Sequence, residues 1–553
     1  MCLKWSMADQ PSADLLIRNA RIVPFRSRTE LGALRRGDSH PGALASSPAA
    51  GEPVDVRIEA GRVVEVGRRL GAPGVRAFPA EGSFLIPGLW DAHAHLDMEA
   101  ARSARIDTLA TRSAEEALEL VAQALRDHPA GSRPATIQGF GHRLSNWPRV
   151  PTVAELDEVT GEIPTLLISG DVHSGWLNSA ALRALGLPGA STQDPGAPMK
   201  EDPWFALLDR LDEVPGTREL RESGYRQVLA DILARGITGV VDMSWSEDPD
   251  DWPRRLRAMA DQGVLPEVLP RIRIGVYRDK LERWIARDLR TGTALAGSPH
   301  LPDGSPVLVQ GPLKVIADGS MGSGSAHMCE PYPSELGLEH ARGVVNINRV
   351  ELTDLMTHAS QQGYEMAVHA IGDAAVDDVA AAFAHSGAAG RLEHAQLLPA
   401  DALDEPDGAL RRLVGCGIEL SVQPAHIIDD WAAVSRVWPG LEGRTYAFAD
   451  MVAAGALLQL GSDAPVAPLD PWLAMSAAVG RRTPDGSVWS PDQRLTAEEA
   501  LAASVNGAGP VAAGSQADLV LLAEDPLRLG AEELEGVRPV VTVVAGAVAH
   551  LRG

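Results

Sequence analysis

Asp91-Ala-His93-Ala-His95 puts two imidazoles two residues apart at the end of an apolar, strand-like run. Residues i and i+2 of a strand share a face, so both rings point the same way. Four more segments finish on side chains with ligand chemistry. Leu313-Lys314-Val-Ile-Ala holds a lysine inside an apolar run, with Asp318 just after it. Ala367-Val-His369-Ala-Ile-Gly-Asp373 and Leu392-Glu-His394-Ala-Gln396 each carry a histidine, and Gln459-Leu-Gly-Ser-Asp463-Ala-Pro465 ends on a carboxylate. Four imidazoles and a carboxylate suit zinc or a similar divalent ion. An ammonium in an apolar wall has no compensation, so Lys314 is costly there as a cation. A neutral lysine can instead take up carbon dioxide as a carbamate, an anionic ligand with two oxygens. Two metals sharing that bridge would each hold a set of the kind His/His/Asp or His/His.

Each piece alone has a plainer reading. An HxH pair recurs by chance, His369 and His394 would serve as core histidines, and Asp463 before Ala-Pro would initiate a turn. Lys314 would snorkel or pair with Asp318. The case for chemistry is that all these residues recur at the ends of strand-like runs.

Eight such runs are expected to be strands: Phe84–His95, Gly236–Met243, Pro270–Tyr277, Pro312–Asp318, Glu365–Ile371, Arg391–Gln396, Ile418–Gln423 and Leu457–Asp463. Amphipathic stretches at Arg221–Arg235, Arg349–Gln362, Ala374–His385 and Arg444–Ala454 lie between them. Alternating strands and helices predict a parallel sheet, and eight strands predict a closed (β/α)8 TIM-like barrel. Its active site would lie at the C-terminal strand ends, where the candidate ligands are. The long gap between the first two strands predicts an inserted lid segment over the barrel mouth, within 100–235. Both chain ends read as short strands. Asp55–Val66 turns at Ala60-Gly61, and Val540–Val544 and Ala547–His550 flank Ala545-Gly546. They predict a small β-sandwich from residues 1–86 and 508–553 around a barrel over 87–507. Gly32–Pro53, rich in Gly, Ala, Ser and Pro, reads as a mobile loop.

Composition narrows the function classes. The 553 residues carry 50 Lys and Arg against 74 Asp and Glu, a net charge of −24. That argues against nucleic acid and anionic membranes as partners and leaves a small-molecule substrate. Cys2, Cys329 and Cys416 are too few and too far apart for a disulfide framework or a four-cysteine zinc site, which fits a reducing, cytoplasmic setting. No secretory signal or bilayer-spanning run is evident, the longest mostly apolar run being Val540–Ala549. A homodimer is the prior expectation for assembly.

These motifs resemble the amidohydrolase superfamily, and within it the amidohydrolase-3 group that includes YtcJ-like proteins and N-substituted formamide deformylases. The matching stretches are Ile86–His95, Asp171–Ser179, Leu313–Ser320, Val368–Asp373, Glu393–Gln396, Ser421–Pro424 and Leu460–Pro465. The resemblance implies a metal-dependent (β/α)8 hydrolase with a β-sandwich from both termini. It implies His93, His95, His369, His394 and Asp463 as ligands of two divalent ions, zinc first among them, with Lys314 as the carbamylated bridge. Two features depart from the group. Phe140 and His142 stand where a Trp and an acidic residue are usual, and Ser504–Pro510 is short.

The reaction expected is cleavage of a non-peptide C–N bond, in an amide or formamide, by metal-bound hydroxide. Asp463 would take the water proton and pass it to the leaving nitrogen. His173 would hydrogen-bond the substrate carbonyl or oxyanion, or else anchor the lid. Trp176 and Gln423 are further candidate substrate contacts, with packing or a structural hydrogen bond as the alternative for each. Two other readings stand beside this one. A mononuclear zinc deaminase of a heterocyclic amine would use His93, His95, His369 and Asp463, with no need of Lys314. A non-catalytic barrel scaffold would be expected to have lost ligands.

Overall fold

The computed structural model of the chain describes residues 14–36, 51–71, 73–128, 133–142, 144, 147–169, 174–187, 198–200, 204, 206–207, 210–246, 248–263, 268–402, 405 and 407–552. The chain divides into two compact units, Met1–His95 with Leu229–Gly553, and Leu96–Val228.

The first unit begins with β1 (Leu15–Ile22), β2 (Val54–Glu59), β3 (Arg62–Gly67), β4 (Ala77–Pro79) and β5 (Phe84–Pro87). Ala60 and Gly61 both have positive φ, 48° and 71°, as the tight turn between β2 and β3 requires. The reading of Gly32–Pro53 as a loop needs correction. Ser27 and Glu30 form a capping box that starts a helix over Arg28–Arg35, so the first residues of that stretch are helical. The rest of that stretch, 37–50, lies outside the described residues.

The first barrel strand is also corrected. Phe84–His95 is two strands in two sheets, β5 and then β6 (Leu89–Ala94). The switch is made by adjacent amides. Gly88 N–H donates to Asp518 O at 2.7 Å, on the terminal sheet, and Leu89 N–H donates to Gly236 O at 3.0 Å, on the barrel side. A Cβ at Gly88 would stand 2.1 Å from Thr238 Oγ1, so only glycine lets the chain pass.

The second unit carries β7 (Ile106–Asp107), β8 (Ile137–His142), β9 (Thr165–Ser169), β10 (Ser174–Leu177) and β11 (Met199–Lys200) in one sheet. Alternation along β9 splits its core. Leu166 and Ile168 pack with Leu177 and Trp204, while Leu167 packs with Ile137, Trp147 and Trp176.

The barrel continues with β12 (Ile237–Asp242), β13 (Arg271–Tyr277), β14 (Leu308–Ile316), β15 (Met366–Ala370), β16 (Gly390–His394), β17 (Glu419–Val422) and β18 (Leu458–Leu460). Among the described residues, β6 and β12 to β18 form one parallel eight-strand sheet in chain order. Its two edges meet at a parallel bridge between Ala94 and Ala464, where Asp463 N–H donates to His93 O at 2.7 Å. The barrel is thereby nearly closed at the end where the candidate ligands sit. β14 starts earlier than expected. Its register against β13 slips between Ile274 and Val276, and this bulge accommodates Gly311 and Pro312 within the strand.

The helices Arg349–Gln361 and Asp373–Ser386 form as the periodicity predicts. Arg444–Ala454 does not. It breaks into a 3-10 turn at Glu442–Arg444 and a helix at Phe448–Ala453, because Tyr446 turns left-handed (φ 51°) and its N–H donates to Gln396 O at 2.7 Å. In β14 and β15, Leu313, Val315, Met366 and Val368 join Leu352, Met356 and Phe383 of the helices in the main apolar cluster. Lys314 and His369 therefore face the barrel interior. The chain closes with β19 (Leu519–Leu522), β20 (Val541–Val544) and β21 (Ala547–Leu551), which pair onto β5. Strands of both termini thus make one sheet of mixed direction, with a shared core that includes Leu15, Ile17, Val56, Leu85, Leu519 and Val543. No helix among the described residues is long and apolar enough to cross a membrane.

Gly88→Ala is expected to lower unfolding stability by about 1–3 kcal/mol, the usual cost of an added methyl with no room for it. Denaturant titration against wild type measures this.

Candidate functional site

The parallel strands deliver their C-terminal residues to one end of the barrel. His93 is on β6, His95 follows it, Lys314 is near the end of β14, and His369 and His394 end β15 and β16. Asp463 follows β18 and is brought onto β6 by the closing bonds. Ligand atoms of His93, His95 and Asp463 all lie within 4.8 Å of one another. Asp463 Oδ1 is 3.4 Å from His93 Nε2 and 3.2 Å from His95 Nε2. The rings of His93 and His394 are 5.0 Å apart, and those of His369 and His394 4.5 Å. All six expected metal-site residues are therefore in one cluster.

Two turns make this possible. His394 (φ 72°), Ala395 (φ 46°) and Asp463 (φ 56°) are non-glycine residues held left-handed, a conformation that persists only where the surroundings over-determine it. In a regular strand Glu393 and His394 would face opposite sides. The left-handed turn at His394 lets both reach the cluster. Gly461 has no alternative either, since a Cβ there would meet His93 N at 2.8 Å.

Glu393 is a residue the motif reading passed over. Its Oε2 is 2.8 Å from His93 Nδ1, with both side chains fully buried. A carboxylate only accepts, so Nδ1 carries the proton and the Nε2 lone pair faces Lys314 Nζ at 3.3 Å. Arg391 Nε sits 2.6 Å from Glu393 Oε1, close enough to pair in charge but poorly aligned for a hydrogen bond. Asp91 is a second such residue. Its carboxylate accepts from His93 N–H at 3.0 Å and from Ser462 N–H at 3.1 Å, tying the HxH strand to the turn that carries Asp463. A carboxylate beside HxH and a glutamate before His394 were visible in the sequence, but their partners were not.

Electrostatics follow from burial. It pushes the His93 pKa down to about 4, with Lys314 adding to the effect, and the Lys314 amine down to about 8. His394 is held well below its ordinary value by burial and then by His369. These rings are neutral at pH 7 and offer lone pairs. Burial would raise Asp463, but its carboxyl is held well below the usual range, with the His95 ring within hydrogen-bond reach. Glu393 is likewise lowered, with Arg391 and His93 prevailing over burial. Asp91 is pushed up to about 6, burial prevailing over its hydrogen bonds.

Asp318 is not the partner of Lys314 among the described residues. Its oxygens accept from the backbone N–H groups of Ile371, Gly372 and His327, and Oδ1 lies 3.3 Å from His369 Nε2. The other expected contacts divide. Gln423 follows β17; its Nε2 donates to Ser421 O at 3.3 Å, while Oε1 is buried and without a hydrogen bond. His173 lies outside the described residues. Trp176 is corrected: it is 0% exposed, and its indole N–H donates to Thr152 O at 2.8 Å. That leaves it no face for a ligand, and it serves as core of the second unit. His142 is also used within that unit, stacked on Trp147 at 5.0 Å.

The donor set fits a divalent cation. His394 Nδ1 is buried without a hydrogen bond, the His93 Nε2 lone pair is aimed inward by Glu393, and an ionised carboxylate stands beside them. Glu393→Gln keeps the shape but removes the charge behind His93. It is expected to weaken metal binding by about 10–100-fold while the fold is kept, as measured by chelator competition alongside circular dichroism.

Comparison with known proteins agrees with this geometry. The model of the amidohydrolase family matches residues 76–550. N-substituted formamide deformylase of Arthrobacter pascens is 27% identical over 540 residues, spanning 90% of this chain and 95% of that protein. Protein LONG AFTER FAR-RED 3 of Arabidopsis thaliana is 28% identical over 516 residues, spanning 84% and 83%. An uncharacterized metal-dependent hydrolase from Pyrococcus horikoshii has the same fold, with a TM-score of 0.70 at 24% identity over 94% of this chain and 99% of that one. A match over nearly the whole chain, on a barrel with these residues at its mouth, means that the protein belongs to the amidohydrolase family and is an enzyme acting on carbon–nitrogen bonds.

Proposed function

We propose that this enzyme hydrolyses a non-peptide amide, with N-substituted formamides as the first substrate class, at a two-metal site. The observation that carries the reading is Lys314 (2% exposed), whose Nζ lies 3.3 Å from a His93 lone pair among the candidate ligands. Burial disfavours its ammonium there despite the charges of Glu393 and Asp463. An amine with its pKa lowered to about 8 is neutral in about one molecule in ten at pH 7, a far larger fraction than for an ordinary lysine, and the neutral form can add carbon dioxide, losing one proton to become a carbamate anion. His93, His95 and Asp463 would hold one ion and His369 and His394 the other, with the Lys314 carbamate between them. Zinc matches these donors. When bound, the metals supply Lewis-acid polarisation of the carbonyl and a water acidic enough to attack at neutral pH.

The chain's own residues do the rest. Asp463 is ionised, and Oδ1 faces the His93 and His95 rings. Its Oδ2 accepts the proton of the attacking water and returns it to the leaving nitrogen, so that a carboxylic acid and an amine are released. Glu393 keeps His93 in one tautomer throughout, and Asp91 holds the Asp463 turn in register. The full-length similarity to a formamide deformylase supports formamides as the class to test first. We also read the terminal sheet as a small β-sandwich, with β1 to β4 packed on β5 and the C-terminal strands through their shared core.

Elemental analysis of protein purified without chelator should give two divalent ions per chain. A plateau at one ion with full activity would favour the mononuclear, deaminase-type site. Lys314→Ala should lose metal and nearly all turnover of a formamide panel, with partial rescue by formate or acetate. A lysine that was merely structural would show a stability defect and no rescue. Asp463→Asn should keep the fold and lower kcat by at least about 10²–10⁴-fold. Metal content measured on the same preparation separates lost chemistry from lost metal.

A further inference from the structure

The cluster contains a fifth imidazole, His426, that the ligand set above does not use. It closes the 3-10 turn Pro424–His426 after β17 and is 7% exposed. Its ring stacks 6.5 Å from that of His394, and Nε2 stands 3.8 Å from Asp463 Oδ2, the oxygen assigned to the proton transfer. Nε2 itself makes no hydrogen bond.

A chain of side chains behind the ring decides which nitrogen bears the proton. Asp430 Oδ2 accepts from the Tyr446 hydroxyl. That hydroxyl has one proton, so towards Gln396 it accepts, from Nε2 at 2.6 Å. The same amide nitrogen lies 3.5 Å from His426 Nδ1, at the outer limit of a hydrogen bond, and presents its second proton there. Nδ1 is therefore the acceptor and Nε2 carries the hydrogen. The left-handed turn at Tyr446, bonded through its N–H to Gln396 O, builds this relay into the backbone.

We propose that His426 is a catalytic residue whose Nε2–H donates to the substrate's carbonyl oxygen and holds it as the tetrahedral oxyanion forms. The inference rests on the amide-hydrolase reading of the site. With Nε2 protonated and Nδ1 facing the Gln396 amide, neither nitrogen of His426 has a lone pair to offer a metal. It is also an unused donor beside the proton-transfer carboxylate, and a buried donor aimed at developing charge is worth far more there than in water. Gln396, Tyr446 and Asp430 act through the ring and are positioning residues.

The test uses the full-length, metal-loaded enzyme and its His426→Phe and His426→Gln variants. With the best formamide of the panel, His426→Phe should lower kcat by about 10²–10³-fold, the usual loss of one oxyanion donor, with KM changed little. His426→Gln, which keeps an N–H, should recover at least about tenfold of that loss. Binding of a phosphinate analogue of the tetrahedral species should weaken in His426→Phe, while binding of a planar amide of the same shape should not. Histidine-selective 15N NMR of the wild type should show His426 protonated at Nε2, and Gln396→Leu should disturb that tautomer. Loss of metal in His426→Phe, equal loss of both ligands, no phosphinate binding by the wild type, or a proton on Nδ1 would each overturn the proposal. If the wild type cleaves no amide or formamide, the function proposed above fails. The phosphinate and NMR measurements then still decide the role of His426.

Discussion

The hydrogen bond from His93 Nδ1–H to Glu393 sets the terms for everything around it. It is buried on all sides, joins residues 300 positions apart, and directs the one free lone pair of His93 at Lys314 and Asp463. Without Glu393 the ring would be free to present either nitrogen. With it, the tautomer is chosen by a carboxylate that Arg391 and His93 keep charged despite burial. A single acceptor-only group thus turns a set of nearby histidines into an ordered set of donors.

That arrangement is possible only at the C-terminal end of a parallel barrel. Parallel pairing brings His93, Lys314, His369 and His394 to one end from strands spread over some three hundred residues. The period of two puts Lys314 and His369 inside while their neighbours pack against helices. Closure adds the last member. Asp463 arrives through its N–H to His93 O and through Asp91, which binds both sides of the seam. The left-handed residues His394, Ala395 and Asp463 are the conformational cost of this convergence, of order 1–3 kcal/mol each, offset by the bonds around them.

A second relay, Asp430–Tyr446–Gln396–His426, follows the same logic as Glu393–His93 but with the opposite result. In each, an acceptor-only carboxylate at the far end determines where a proton sits on an imidazole. Glu393 leaves His93 Nε2 bare, suited to a cation. The longer relay leaves His426 Nε2 protonated, suited to an oxygen that gains charge. Two imidazoles of the same chemical type thereby present opposite character to the site, one a lone pair and the other a proton.

The sequence by itself determined the barrel strands and the residues at their ends. Apolar runs with a period of two and turn residues between them are local signals, so His93, His95, Lys314, His369, His394 and Asp463 were legible from their positions alone. Only the tertiary structure decided their partners. Gly88 hides a change of sheet because the clash it avoids is with Thr238, 150 residues away. Trp176 became core and not a substrate contact because both its faces are covered by its own unit. Tyr446 broke an expected helix because a carbonyl at Gln396 captured its N–H. Glu393, Asp91 and His426 carried no local mark of their roles. What a buried polar side chain does depends on which group satisfies it, and folding alone brings such groups within hydrogen-bond distance.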